Sequence, residues 1–128
     1  MNEAAALEAL VASHRIVVCC GSGGVGKTTT AASVALYGAR RGRHAIVLTI
    51  DPARRLADSL GIGPLGNAPR IVESEWLSRA GIETGGSLSA MMLDQKGSWD
   101  ELISRQAPSA EVRDRILENS FYRQLSQS

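Results

Sequence analysis

The run Gly21-Ser22-Gly23-Gly24-Val25-Gly26-Lys27-Thr28 fits the pattern G-x-x-x-x-G-K-[ST], and no other stretch constrains the fold as tightly. A polyanion must be wrapped by donors that approach too closely to tolerate side chains, and the glycines at 21, 23, 24 and 26 leave that room. Without Cβ atoms they can take positive φ, so that successive backbone N–H groups turn inward as an anion-binding nest. A nucleoside triphosphate, ATP first, is the expected ligand of Gly21, Ser22, Gly23, Gly24, Val25, Gly26, Lys27, Thr28 and Thr29. Lys27 would bridge the β- and γ-phosphates as a point charge. The Thr28 hydroxyl would ligate Mg²⁺, and the following helix would add the positive end of its dipole.

Such a loop belongs between a strand and a helix, and the flanks agree. Arg15-Ile16-Val17-Val18-Cys19-Cys20 is a nearly unbroken apolar run, which predicts a first strand covered on both faces. From Lys27 to about Arg40 the pattern is helical, with Ala31, Ala35 and Ala39 giving a small-residue face suited to close packing on a sheet. Gly42 marks its end. Ala45-Ile46-Val47-Leu48-Thr49-Ile50 predicts a second buried strand ending in Asp51, so that residues 15–50 read as one βαβ unit.

Composition narrows the class without adding chemistry. The 128 residues are 44% hydrophobic and 21% charged with a formal net charge of +1, an ordinary single globular domain with no field that points to nucleic acid. Arg40, Arg41, Arg43 and His44 read as a solvated loop rather than a phosphate-backbone patch. There is no apolar run of membrane-spanning length and no basic start leading into an apolar core, so a cytoplasmic setting is expected. Leu7, Leu10 and Val11 form one stripe of a short amphipathic helix at the amino terminus. Cys19 and Cys20 are neighbours on a strand, point to opposite faces and read as small buried hydrophobes in a reducing environment.

A second layer of chemistry follows the second strand in Asp51-Pro52-Ala53-Arg54-Arg55-Leu56-Ala57-Asp58. A carboxylate at the carboxyl end of a strand beside the glycine loop lies near the crevice where open α/β sheets bind ligands. Asp51 is therefore the candidate catalytic residue beside Lys27, orienting the water that attacks the γ-phosphate or holding Mg²⁺ through water. A helix N-cap followed by proline is the plainer alternative for it. Arg54 and Arg55 read as solvated.

Together, Gly21 to Thr29, Leu48-Thr49-Ile50-Asp51-Pro52-Ala53 with Leu56-Ala57-Asp58, and Leu88-Ser89-Ala90-Met91-Met92-Leu93-Asp94 resemble the arsenite-pump and tail-anchored-protein-targeting ATPases. These belong to the P-loop class with a deviant Walker A loop, and the resemblance runs from residue 15 to 125. It implies an α/β fold of three layers with a mostly parallel sheet, here a partial domain: residues 15–94 as nucleotide-binding core and 95–128 as the start of a helical subdomain. It implies Mg²⁺-dependent ATP hydrolysis with Asp51 as the switch aspartate that polarises water and Asp58 as the acid that closes the same switch. It further implies a homodimer and a client that is a membrane-protein segment or an oxyanion. One position departs from the pattern: the deviant loop carries a second lysine after its first glycine that reaches the partner's nucleotide, and this chain has Ser22 there.

Family members run to two or three times this length, so the chain reads as an amino-terminal part. After Asp94 the pattern predicts helices over about Ser98 to Gln106 and Ser109 to Asn119 with a tail from Ser120, and Arg70-Ile71-Val72 is a candidate short strand. The second switch and the base-recognition segment have no counterpart, and so few strands would leave an edge and an apolar face without cover. Three other functions fit parts of the pattern: a signal-recognition-type GTPase, a small P-loop kinase in which Asp51 accepts a substrate proton, and a module that binds nucleotide without turnover.

Overall fold

The computed structural model describes residues 2–50 and 55–127, which form two compact units, Met1–Met92 and Leu93–Ser128. In the first unit the order of elements is α1 (Glu3–Ser13), α2 (Lys27–Arg40), β1 (His44–Thr49), α3 (Arg55–Leu60), β2 (Arg70–Ile71), α4 (Ser74–Arg79) and β3 (Ser87–Met92). The fold is α/β, with a small mixed sheet in the order β1-β3-β2 and flanking helices. β1 and β3 run parallel, from His44 beside Ser87 to Thr49 beside Met92, and the short β2 is antiparallel, with Arg70 opposite Ala90.

Residues paired side by side share a face, and this decides where the core lies. Ala45 and Val47 of β1 adjoin Leu88 and Ala90 of β3, and this is the covered face. Helix α2 covers it closely because its facing side is small: Ala39 is fully buried, Ala32 nearly so, and Ala31 and Ala35 pack against the same cluster. Leu56 of α3, Leu77 of α4 and Leu88 are the largest fully buried side chains. Each contributes roughly 1.5–3 kcal/mol of burial free energy. On the other face Ile46, Leu48 and Ile71 are 57%, 49% and 68% exposed.

Residues 15–20 enter no sheet ladder among the described residues, and Ile16 and Val18 are 81% and 75% exposed where a strand covered on both faces was expected. A β-branched run has strand propensity, yet a strand exists only where a neighbour accepts its backbone hydrogen bonds. β1 pairs with β3 along one edge only, no described strand adjoins residues 15–20, and the βαβ unit is not closed. For the same reason Cys19 is half-buried and Cys20 exposed, and β1 is covered on one face instead of two. The short strand at Arg70 and the amino-terminal helix are present, the latter opened by the Asn2 side chain, which accepts from the Ala4 N–H at 3.3 Å.

The second unit is helical: α5 (Gln95–Gln106), α6 (Ala110–Glu118) and α7 (Ser120–Ser126). Each begins at a side-chain cap that satisfies an otherwise orphaned N–H. Asp94 accepts from Gly97 at 3.0 Å, Ser109 from Val112 at 3.3 Å, and Asn119 from Phe121 and Tyr122 at 3.0 and 3.1 Å. α5 and α7 are joined by the Tyr122 hydroxyl, which donates to the Asp100 carboxylate at 2.8 Å, while Lys96 donates to the other carboxylate oxygen. The ammonium and then the phenol hold the Asp100 carboxyl below its ordinary value. Burial and then Asp100 push the Tyr122 phenol up to about 12. Among the described residues no helix is long and apolar enough to cross a membrane.

Candidate functional site

The glycine loop occupies residues 21–26 and runs directly into the first turn of α2. Gly24 and Gly26 lie in the left-handed region, at φ 75° and 88°, and Gly26 is the residue from which α2 starts. Its carbonyl accepts the Thr30 N–H at 2.9 Å, so the helix is hydrogen-bonded from its first turn. A Cβ built on Gly23, Gly24 or Gly26 would meet nothing within 4 Å. The Cβ positions of these three glycines are therefore open space, at the positive end of a helix of 14 residues. Gly21 differs: a Cβ there would lie 3.0 Å from the Val25 side chain.

Lys27, the first residue of α2, curls back over the loop and donates from Nζ to the Ser22 carbonyl at 2.6 Å. The ammonium is thereby held at the loop by a neutral carbonyl. Sequence reasoning treated Ser22 only through its side chain. The partner is its backbone oxygen, for which no residue type is a signal. Lys27 and Thr28 are half-buried, and Thr29 is exposed with its carbonyl accepting from the Ser33 hydroxyl at 2.8 Å. Val25 is 60% exposed at the loop tip.

The residues from Gly21 to Thr29 form the loop and the first residues of α2. Asp51, Pro52, Ala53 and Arg54 lie outside the described residues, and Arg55 and Asp58 are exposed on α3. No group of three or more His, Cys, Asp or Glu that could hold a metal ion occurs among the described residues. The donor set nevertheless fits Mg²⁺ carried by a nucleotide, since that ion keeps waters and phosphate oxygens and asks the protein for only one or two ligands. Thr28, one residue into α2, is the residue there that carries a hydroxyl for such a role. The open cradle fits a phosphate for the reasons given above.

The sequence profile of the anion-transporting ATPases matches residues 14–119. Among curated proteins, the chain is 32% identical over 95 residues to ATPase get3 of Aspergillus niger, covering 73% of this chain and 28% of that one. It is 34% identical over 110 residues to Protein Rv2184c of Mycobacterium tuberculosis, with 79% and 26% covered. It is 35% identical over 94 residues to ATPase GET3 of Chaetomium globosum, with 73% and 24% covered. The chain spans about a quarter of the length of these curated relatives. A phosphate-type loop set on a helix in an α/β unit, matched over most of the chain by one profile, leads to one conclusion: the chain belongs to the anion-transporting ATPase family.

Proposed function

We propose that this chain is the nucleotide-binding part of a Mg²⁺-dependent ATPase that hydrolyses ATP to move switch segments and, through them, a helical client region. The observation that carries the reading is the loop itself. Gly24 and Gly26 turn its backbone, the space over Gly23 is open, and Lys27 Nζ is held over the Ser22 carbonyl. In this reading Lys27 exchanges that carbonyl for the β- and γ-phosphates, and the backbone N–H groups of residues 22–28 hold the remaining phosphate charge. Thr28 would offer its hydroxyl to Mg²⁺, which would supply neutralisation of the phosphate charge. Asp51 orients the attacking water and Asp58 follows it when the switch closes.

Residues 15–94 act as the nucleotide-binding core and 95–128 as the start of a helical subdomain. The complete protein works as a homodimer on a membrane-protein segment or an oxyanion. Ser22 brings a hydroxyl but no charge to the position of the family's cross-dimer lysine, so activation in trans must come from another group. That one substitution also favours a second reading, a module that binds ATP without turnover.

Phosphate release by the complete protein, with and without Asp51→Asn, separates the two. Turnover that is lost while ATP affinity is kept supports the ATPase and the role of Asp51. Turnover that persists removes Asp51 from the mechanism, and no turnover in either form leaves the binding module.

A further inference from the structure

Helix α1 is too short to be stable by itself. It has 11 residues, and isolated helices below about 12–15 residues are marginal in water even when rich in alanine. Its last turn holds no basic residue to offset the carbonyls that a helix end leaves without partners. Two of those carbonyls are met from outside the helix. The Arg43 guanidinium donates from one nitrogen to the Val11 carbonyl at 2.7 Å and to the Ala12 carbonyl at 3.2 Å.

Arg43 is a fixed donor. Its backbone N–H donates to the Gly38 carbonyl at 3.0 Å, and its carbonyl accepts from the Ser87 N–H at 3.1 Å, so it is tied to both α2 and β3. Val11 is the buried residue of α1 and lies against the bare backbone of Gly38, where an added methyl would meet its Cγ1 at 3.6 Å. Glu8 pairs with Arg41, but the two side chains are 56% and 51% exposed, and a pair so wet contributes little. The dock therefore rests chiefly on one apolar side chain and one cation at a helix end. Val47, Leu88 and Ala90 of β1 and β3 belong instead to the core cluster with Leu56 and Leu77. An element with few buried contacts opens at a lower free energy than the core it leans on.

We infer that α1 is a strap with Arg43 as its clasp: it is helical where it is docked, and it opens and unwinds as a unit of its own while the sheet stays folded. Opening bares the back of α2 at Gly38 and frees the guanidiniums of Arg41 and Arg43 from their acceptors on α1. The clasp sets a charge against the partial charge of a helix end, so added salt loosens it. The strap follows from α1 and its dock alone and does not depend on nucleotide binding.

Native-state hydrogen exchange of this chain, read amide by amide, tests the strap, with Arg43→Ala and Arg43→Lys measured beside the unsubstituted chain. Amides of residues 7–13 should lose protection together, at least about tenfold more readily than those of β1 and β3. Arg43→Ala should lower the protection of residues 7–13 by about a further tenfold and leave the strands unchanged, since it removes a charged donor from two carbonyls. Arg43→Lys keeps the charge and should retain more protection than Arg43→Ala. Raising NaCl from about 0.05 to about 0.5 M should loosen residues 7–13 in the unsubstituted chain, and less so in Arg43→Ala. Equal protection of α1 and the strands overturns the strap, because the two then open as one unit. Unchanged protection of residues 7–13 in Arg43→Ala overturns the clasp. Where circular dichroism shows Arg43→Ala unfolded, the salt series on the unsubstituted chain decides: loosening confined to residues 7–13 supports the strap, and loosening shared with the strands overturns it.

Discussion

Gly26 and Gly23 sit three residues apart in one loop, yet substitution by alanine should affect them in opposite ways. Gly26 is held at φ 88° and ψ 21°, with no side-chain cap to share the burden and nothing within 4 Å of an added methyl. The penalty of Gly26→Ala is therefore pure backbone strain, about 1–2 kcal/mol for an L-residue in the left-handed region. Alanine also restricts the unfolded chain, which returns roughly 0.4–1 kcal/mol, so the net loss is about 1 kcal/mol. For a unit of this size that is a fall of about 4–8 °C in Tm. Gly23 lies outside the left-handed region and has the same open surroundings, so Gly23→Ala should hold or slightly raise Tm. On the proposed nucleotide-binding reading, the methyl of Gly23→Ala would stand in the space a phosphate takes. Thermal unfolding followed by circular dichroism, with a calorimetric titration of tripolyphosphate and Mg²⁺, reads both effects. If Gly23→Ala melts as low as Gly26→Ala, the dihedral argument fails. If Gly23→Ala binds as well as the unsubstituted chain, the open side of the loop is not where anions sit.

Other outcomes follow from the same structure. Leu88→Ala removes a fully buried side chain from the middle strand of the sheet and should cost about 2–5 kcal/mol, seen as a lower urea midpoint with an unchanged slope. In the helical unit the Tyr122 phenol is raised from 10.0 to about 12, so its contribution is complete below pH 10 and is lost as pH climbs through about 12. Circular dichroism across that window should show a loss of helix that Tyr122→Phe lacks. The Asp100 carboxyl is lowered, so its contribution holds above the ordinary carboxylate range and disappears as pH falls through the lowered value; Asp100→Asn should flatten that acid limb.

What could be read from the sequence depended on how local the responsible physics is. Helix α2 was legible at both ends, because a glycine at 26 and another at 42 are its start and stop, and an alanine face announces its packing. The turn of the loop was legible at two of its four glycines for a related reason: positive φ at Gly24 and Gly26 is open to that residue type, and Gly21 and Gly23 do not adopt it. The apolar run at 15–20 misled, because its composition speaks only of propensity and the ladder neighbour has to come from elsewhere in the chain. The ties from Arg41 and Arg43 to α1 were equally hidden: the acceptors are Glu8 and two backbone carbonyls more than thirty residues away in sequence. Residue type says nothing about such carbonyls, as with the Ser22 oxygen under Lys27.

The central claim is that the loop at 21–28 binds a nucleoside triphosphate through Lys27, and calorimetric titration of this chain and of Lys27→Ala with ATP and then GTP, each with Mg²⁺, tests it most directly. The account predicts binding that prefers ATP and vanishes in Lys27→Ala while the fold is kept. Binding that survives the loss of Lys27, or no binding by the unsubstituted chain, would contradict it.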